Sequence, residues 1–590
     1  MKNRVLSMVL AVVMVVSLIP VIAISVGANS DAIALTIGTQ TSGLIDAENT
    51  EMWYSIQLTE AGRLTLGFSS SSGAEGIDTF TVTWFTAEST QISSDTYNRT
   101  TVSSHNQSMF LEAGLYYVRL ARRQYSSGND GTYSITPAFV AAGKTEMGNN
   151  VSRNEAFELE LDEKVTGFIN YESGSVNWYS VTLTEAGRLT LGFSSEAGVI
   201  GIDTVQVTLF TDLENTEIRN YSYTRTTVST NNTSMFLESG TYYIRVSKRA
   251  YSSGNEGAYS ITPTFIAAGK TETGNNVSRN EAFELELDEK TTGFINYESG
   301  SVNWYSVTLP EAGRLTLGFS SEAGEIGIDT VQVTLFTDPE NTEIRNYSYT
   351  RTTVSTHNTS MFLKAGTYYI RVSKRAYSSG NEGAYDITPT FISAGKSITF
   401  SNDSINNALP LESKEGVTGF ITYESGSVAW YSVKLDSKRE LKLQVASDTG
   451  AIGIGTVNIT LFRSADSQVH SYSYTRETVS THNYSVELEP GTYYIRVQKR
   501  SYSSNNEGSY VLTADYSLPD FTLGDVDGNG VVAIADALEI LKYLAGMNSV
   551  VNQNNTTAWN AARITGGATP AIGDVLEILK KLAGMTSMLG

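Results

Sequence analysis

The chain has no cysteine in 590 residues. That excludes a disulfide scaffold and a thiol nucleophile, so each domain must be held by its own apolar core. There is also no surplus of cations: 41 Lys and Arg stand against 62 Asp and Glu, a formal net charge of −21. A chain this acidic repels phosphate backbones and anionic lipid, which argues against nucleic-acid and membrane-surface roles. Long apolar runs are missing but for one, Val5 to Ile24. It follows Lys2 and Arg4 and precedes the small residues Val26-Gly27-Ala28, the order of features of a secretory signal peptide over residues 1–28. An uncleaved anchor is the rival, since about 18–20 apolar residues can span a bilayer. Pro20 and the small residues after it favour cleavage, which leaves a secreted chain with no membrane attachment.

Hydrolase signatures are missing too. There is no His-Glu-x-x-His helix and no Gly-x-Ser-x-Gly elbow.

What is present is repetition. Trp53-Tyr54-Ser55, Trp178-Tyr179-Ser180, Trp304-Tyr305-Ser306 and Trp430-Tyr431-Ser432 recur at spacings of 125, 126 and 126 residues. A unit of that length is a whole domain rather than a solenoid repeat. Four such domains are expected at 33–143, 144–269, 270–395 and 396–518. Inside a unit the hydrophobic period is two, as in Tyr179-Ser180-Val181-Thr182-Leu183 and Tyr242-Tyr243-Ile244-Arg245-Val246. Glycine turns such as Glu185-Ala186-Gly187 separate the runs, and no helical period intervenes. The pattern predicts a mainly β protein of four tandem antiparallel β-sandwiches.

Residues kept in every copy are the candidates for chemistry. His105, His357 and His482 share one position, but the second copy has Asn231 there, and an amide cannot replace a general base. The position reads as a hydrogen-bonding one. Glu48, Glu172, Glu298 and Glu424 recur, as do Asp130, Glu256, Glu382 and Glu507 in a second loop. Two such acids could serve a glycosidase if they lay about 5–10 Å apart; solvated turn residues are the simpler reading. Asp78, Asp203 and Asp329 give way to Gly455. Three arginines persist: Arg99/Arg225/Arg351/Arg476, Arg119/Arg245/Arg371/Arg496 and Arg123/Arg249/Arg375/Arg500. Tyr125, Tyr251, Tyr377 and Tyr502 follow the last set by two residues. Arg beside Tyr offers a donor fork and a stacking ring, a candidate sugar or peptide face. The alternative is Arg packed over Tyr to cover the sandwich.

The order Asn149-Asn150, Gly167-Phe168-Ile169, Trp178-Tyr179-Ser180-Val181, Gly240-Thr241-Tyr242-Tyr243-Ile244-Arg245-Val246 and Gly257-Ala258-Tyr259 resembles the bacterial pre-peptidase C-terminal domain. That resemblance implies a small jelly-roll-like sandwich that accompanies secreted enzymes as a binding or stabilising module. The first copy lacks most of the leading segment.

After Asp520 the period becomes helical. Asp525-Val526-Asp527-Gly528-Asn529-Gly530 opens a twelve-residue loop closed by Asp536, with acids or amides at positions 1, 3, 5 and 12 and glycine at 6. That spacing curls hard oxygens around one calcium ion. A helix follows whose apolar side is expected to carry Leu538, Leu541, Leu544 and Ala545, with Gly546 as its stop. Asp574 to Gly584 repeats Asp536 to Gly546, 38 residues on.

This duplicated loop and helix, 522–590, resembles a type I dockerin, a small all-α calcium-binding module. The resemblance implies calcium on Asp525, Asp527, Asn529, Val531 and Asp536. It implies contact with a cohesin module of a scaffoldin through Ile534, Ala535 and Lys542, and through Ile572, Gly573 and Lys580. The second loop departs from the pattern: Arg563, Thr565 and Gly567 stand at its ligand positions, leaving only Asp574. One Ca²⁺ is expected rather than two. The implied setting is an extracellular or cell-surface polysaccharide-degrading complex, a cellulosome, of an anaerobic bacterium. In it the four sandwiches would be non-catalytic binders of polysaccharide or protein. A glycoside hydrolase of such a complex, or an adhesin or protease-associated protein, are the other readings.

Overall fold

The computed structural model describes residues 31–590 apart from 71–74, 100–103, 212–215, 226–229, 251, 322–323, 338–341, 352–355, 396–397, 448–449, 477–480 and 518–520. The expected signal segment 1–28 lies outside the described residues. Among them no helix is long and apolar enough to cross a membrane. The chain forms two compact units, Met1–Ala268 and Gly269–Gly590.

The first unit holds the first two repeats. In the first, the strands are β1 (Ile33–Ala34), β2 (Thr41–Ile45), β3 (Glu51–Leu58), β4 (Gly62–Ser70), β5 (Thr79–Thr86), β6 (Gln91–Asn98), β7 (Ser104–Leu111), β8 (Gly114–Arg122) and β9 (Gly131–Ala141). They form one sheet in the order β1-β3-β8-β5-β6 and another in the order β2-β9-β4-β7. The chain crosses between sheets at almost every connection, and only β5–β6 is a hairpin within one sheet. This is jelly-roll interleaving, and all four repeats share it. Period-two alternation sets the core: on β4, Leu64, Leu66 and Phe68 are buried while Arg63, Thr65 and Gly67 face outward.

The repeated Trp-Tyr pair divides between the two faces of its strand. Tyr54 is fully buried, and its hydroxyl meets that of Tyr133 at 2.7 Å. The same pair recurs as Tyr179–Tyr259, Tyr305–Tyr385 and Tyr431–Tyr510 at 2.7, 2.6 and 2.8 Å. Gly43, Gly167, Gly293 and Gly419 lie against these hydroxyls. A Cβ on Gly167 would stand 2.3 Å from the Tyr179 oxygen, so no side chain fits there.

In the first unit, Phe168 of the second repeat is buried with Ala61, Ala142, Ile200 and Ala258 against Phe110 of the first. Tyr171 N donates to Phe110 O at 2.9 Å across that junction. Within the second unit the third and fourth repeats meet in the same way: Phe420 and Ile452 pack with Ala312, Phe362 and Ala394, and Tyr423 N donates to Phe362 O at 2.9 Å. The fourth repeat carries Lys438 and Glu487 where the third has Ala312 and Phe362. Its corresponding end is charged rather than apolar.

The second unit ends in α1 (Ile534–Leu544), α2 (Thr556–Ala561) and α3 (Ile572–Leu582). Their core is Val526, Ala537, Ile540, Val551, Ala558, Ala561, Ile564, Val575 and Ile578. The apolar side expected from the sequence is exposed: Leu538, Leu541 and Leu544 are 50%, 40% and 42% exposed. The helix is apolar on two flanks, so periodicity alone could not choose between them. Asp536, fully buried as the closing residue of the loop, sets the phase. Ala537, Ile540 and Tyr543 turn inward with it, which leaves the leucines outside.

Candidate functional site

The persistent arginines have three different placements. Arg119, Arg245, Arg371 and Arg496 lie over the repeated Trp and a neighbouring Phe, with guanidinium carbons 5.0–5.8 Å from the ring centroids. They cover the outer face of the five-stranded sheet, a packing role. Arg99, Arg225 and Arg351 pair with Asp78, Asp203 and Asp329 at 2.5–2.6 Å. Arg476, opposite Gly455, donates instead to the Gly450 and Gly453 carbonyls at 3.4 Å.

One of the two sets of persistent acids is held in place by cations. Asp130 pairs with Arg122 at 2.5 Å, and Glu256, Glu382 and Glu507 pair with Lys248, Lys374 and Lys499 at 2.6, 2.7 and 2.8 Å. Each of those lysines also donates to a loop carbonyl, of Tyr171, Tyr297 or Tyr423. The ion pair therefore fastens two loops to one strand end. Glu172 and Glu298 are exposed on the fastened loop, and Glu424 there binds Lys364 at 3.2 Å. The histidines contact tyrosine rings. His357 lies on Tyr347 and His482 on Tyr472, 5.0 and 4.5 Å between centroids, while His105 meets Tyr97 edge-on. Asn231 holds the same register position opposite Phe193.

The Arg–Tyr loop stands clear of the sandwiches. Tyr125, Tyr377 and Tyr502 are wholly solvent-exposed, at 102%, 109% and 107% of the reference area. Nothing packs over them, so the alternative of Arg covering Tyr does not hold in these copies. Tyr251 lies outside the described residues. All three rings sit on left-handed backbone, with φ of 64°, 58° and 58°. For a bulky aromatic that conformation costs about 1–3 kcal/mol, and such strain gathers at functional loops.

The loop is held firmly on either side. Arg249, Arg375 and Arg500 donate to Thr204, Thr330 and Thr456 Oγ1 at 3.3, 3.4 and 3.2 Å. Asn129, Asn255, Asn381 and Asn506 cap the carbonyls of Arg123, Arg249, Arg375 and Arg500. In the fourth repeat the loop borders a cavity of about 330 Å³ lined by Arg476, Arg500, Tyr502 and Asn505.

A buried carboxyl was not foreseen from the sequence. Glu146 and Glu272 lie inside the second and third repeats and accept hydrogen bonds from the Tyr179 and Tyr305 hydroxyls. Asn150 and Asn276 donate to them at 3.0 Å, and Lys144 and Lys270 approach to 3.3 and 3.4 Å. Burial pushes both carboxyls above the usual range, against the opposing pull of these donors. The fourth repeat replaces the acid with Ile398 and the neighbouring Asn303 position with Ala429. That joint exchange was the signal available in the sequence.

In the C-terminal module, Asp525, Asp527 and Asp536 each bring an oxygen within 4.8 Å of the others. Asp536 Oδ1 accepts from Val526 N and Asp527 N at 2.6 and 2.9 Å, and Oδ2 from Ala533 N at 2.8 Å. Asp525 Oδ2 accepts from Gly530 N at 2.8 Å, whereas its Oδ1 is buried without a hydrogen-bond partner. A desolvated carboxylate oxygen left open among three acids fits a hard divalent cation. Asn529 Oδ1 accepts from Val531 N at 2.9 Å. Ile534 and Ile572 are exposed at the helix starts, beside the exposed Ala535 and half-buried Gly573. Lys542 and Lys580 are tied to Glu539 and Glu577 at 2.6 and 2.7 Å.

No protein-family model matches the chain, and no curated protein matches it. Solved structures do. The pre-peptidase C-terminal domain of a collagenase from Bacillus anthracis is 18% identical, covering 18% of this chain and 94% of its own, with a TM-score of 0.15. The tandem CBM51 modules of a family 98 glycoside hydrolase from Streptococcus pneumoniae are 10% identical, covering 40% and 84%, at 0.13. The tandem CBM22 modules of Xyn10C from Paenibacillus barcinonensis are 10% identical, covering 39% and 86%, at 0.14. At these scores the likenesses decide nothing about ligands.

Proposed function

We propose that this is a secreted, non-catalytic modular protein whose C-terminal module docks it, dockerin-fashion, onto a cohesin-bearing scaffold while its sandwiches hold a polysaccharide. The observation that carries the docking is the leucine face of the module. Ile534, Leu538, Leu541 and Leu544 on α1, and Ile572, Leu576, Leu579 and Leu582 on α3, are all 40–70% exposed. Apolar side chains in exposed rows on a small module mark an interaction site. Calcium belongs in the first loop, on Asp525, Asp527, Asn529, Asp536 and the Val531 carbonyl, where it fixes the start of α1.

For the sandwiches, the exposed Tyr125, Tyr377 and Tyr502 supply stacking faces, and repetition supplies avidity to sites that are individually weak. Ion pairs at Asp130, Glu256, Glu382 and Glu507 and ring contacts at His105, His357 and His482 favour binding over hydrolysis. The test uses the full chain. Leu538→Asp with Leu576→Asp should leave the melting temperature unchanged and abolish capture on an immobilised type I cohesin. Undiminished capture by that double variant, or none by the parent chain, would overturn the docking assignment.

A further inference from the structure

The two loops of the C-terminal module share a backbone but not a charge. In the second, Arg563, Thr565, Gly567 and Asp574 occupy the places of Asp525, Asp527, Asn529 and Asp536. Asp574 is buried as Asp536 is. Its Oδ2 accepts from Ala571 N at 2.7 Å, as Asp536 Oδ2 does from Ala533 N at 2.8 Å. Its Oδ1 accepts from Thr565 N at 2.6 Å, as Asp536 Oδ1 does from Asp527 N at 2.9 Å.

The interior of the loop differs. Thr565 Oγ1 donates to Asp574 Oδ1 at 2.7 Å, where the first loop has a second carboxylate. Arg563 Nε donates to the Gly567 carbonyl at 2.6 Å, and its Nη1 reaches Asn560 Oδ1 at 3.4 Å. Three carboxylates face one another in the first loop and need a dication. The second keeps one carboxylate, held by Thr565 and Ala571, and places a guanidinium at its first position, bonded to the Gly567 carbonyl of the same loop. This loop does not fit a calcium ion: of its four equivalent positions only Asp574 keeps a carboxylate, and the first carries a cation.

The helices that follow are twins. α1 and α3 are eleven residues each. Leu538 and Leu576 are 50% and 51% exposed, and Leu541 and Leu579 are both 40%.

We infer that Arg563 is the built-in cation of the second loop, so that the α3 face is set by the protein alone while the α1 face is set by metal. This rests on calcium occupying the first loop. The two faces offer the same apolar row under different control: removing calcium loosens one and leaves the other presented.

Amide hydrogen exchange of the full chain, with CaCl₂ alone or with EDTA, reads each loop separately. EDTA should speed exchange at Val526, Asp527, Gly530 and Ala533 by about tenfold or more and leave Thr565 and Ala571 protected. Arg563→Ala should expose Thr565 and Ala571 whether or not calcium is present. The triple variant Arg563→Asp, Thr565→Asp, Gly567→Asn should raise calorimetric calcium stoichiometry from one to two. Two sites in the parent chain, or equal loss of protection in both loops under EDTA, would overturn the inference. If no calcium binds at all, calcium in the first loop is refuted; the role of Arg563 then stands or falls on Arg563→Ala, and unchanged protection in that variant sinks it.

Discussion

Asp203 stands in space that a side chain on Gly254 would need. A Cβ built on Gly254 falls 2.5 Å from Asp203 Oδ2, and the same conflict holds for Gly128 with Asp78 and Gly380 with Asp329. In the fourth repeat the bulk has changed sides. Asn505 replaces the glycine, at φ 56° against 66° for Gly254, and Gly455 replaces the acid. A Cβ on Gly455 would fall 2.5 Å from Asn505 Cβ. Asparagine tolerates this left-handed backbone better than other side chains, which lets the swap go through. The loss of an acid at 455 is thus half of a paired exchange.

That relationship predicts strong coupling. Gly254→Asn alone should destabilise the second repeat by about 1–3 kcal/mol, since two side chains would claim one volume. Adding Asp203→Gly should recover most of the loss, less what the Arg225 ion pair contributes. A double-mutant cycle by urea unfolding measures this, and additive single effects would contradict the swap.

The buried Glu146 and Glu272 predict a particular pH dependence. Their carboxyls are raised above the ordinary value of 4.5 by burial. The folded state therefore holds these protons at pH values where the unfolded chain has released them. The stabilisation is fully present below 4.5 and is lost as pH rises through the folded-state values. Glu146→Gln with Glu272→Gln should flatten this fall, so that the variant gains on the parent as pH rises. Parallel melting-temperature profiles of parent and variant would refute it.

The tyrosine loops should show stability opposed to binding. Replacing Tyr125, Tyr377 and Tyr502 by glycine removes a strained φ at each site and should stabilise each repeat by about 0.5–1 kcal/mol. The same variant, with Tyr251→Gly, should lose retention on insoluble polysaccharide. Unfolding of the repeats instead would show that the rings are structural.

At the junction within the first unit, Phe168→Ala should cost about 3–5 kcal/mol, the range for emptying a buried phenylalanine site. Limited proteolysis should then cut near Ala142, between the first two repeats. Unchanged resistance would mean that the junction contributes little.

Much of this protein was determined by sequence alone. Period-two alternation fixed the strands, because a strand exposes one face to the core and the other to solvent whatever its neighbours are. The 126-residue recurrence of Trp-Tyr-Ser implied domain repeats, and the spacing of Asp525, Asp527, Asn529 and Asp536 implied a loop that gathers oxygens. What the sequence could not determine is which of two chemically plausible faces turns inward and which partner each charge takes, since both depend on residues far away in the chain. The arginine of Tyr242-Tyr243-Ile244-Arg245-Val246 proved to be a lid on Trp178 and Phe210, whereas Tyr502 proved free in solvent. Glu146 is buried against Tyr179 and Tyr259, which lie 33 and more residues further along. Only the closed sandwich brings those groups together. In the terminal module the leucines of α1 face outward while Asp536, on the opposite side, is buried and held by the Val526 and Ala533 amides of the loop.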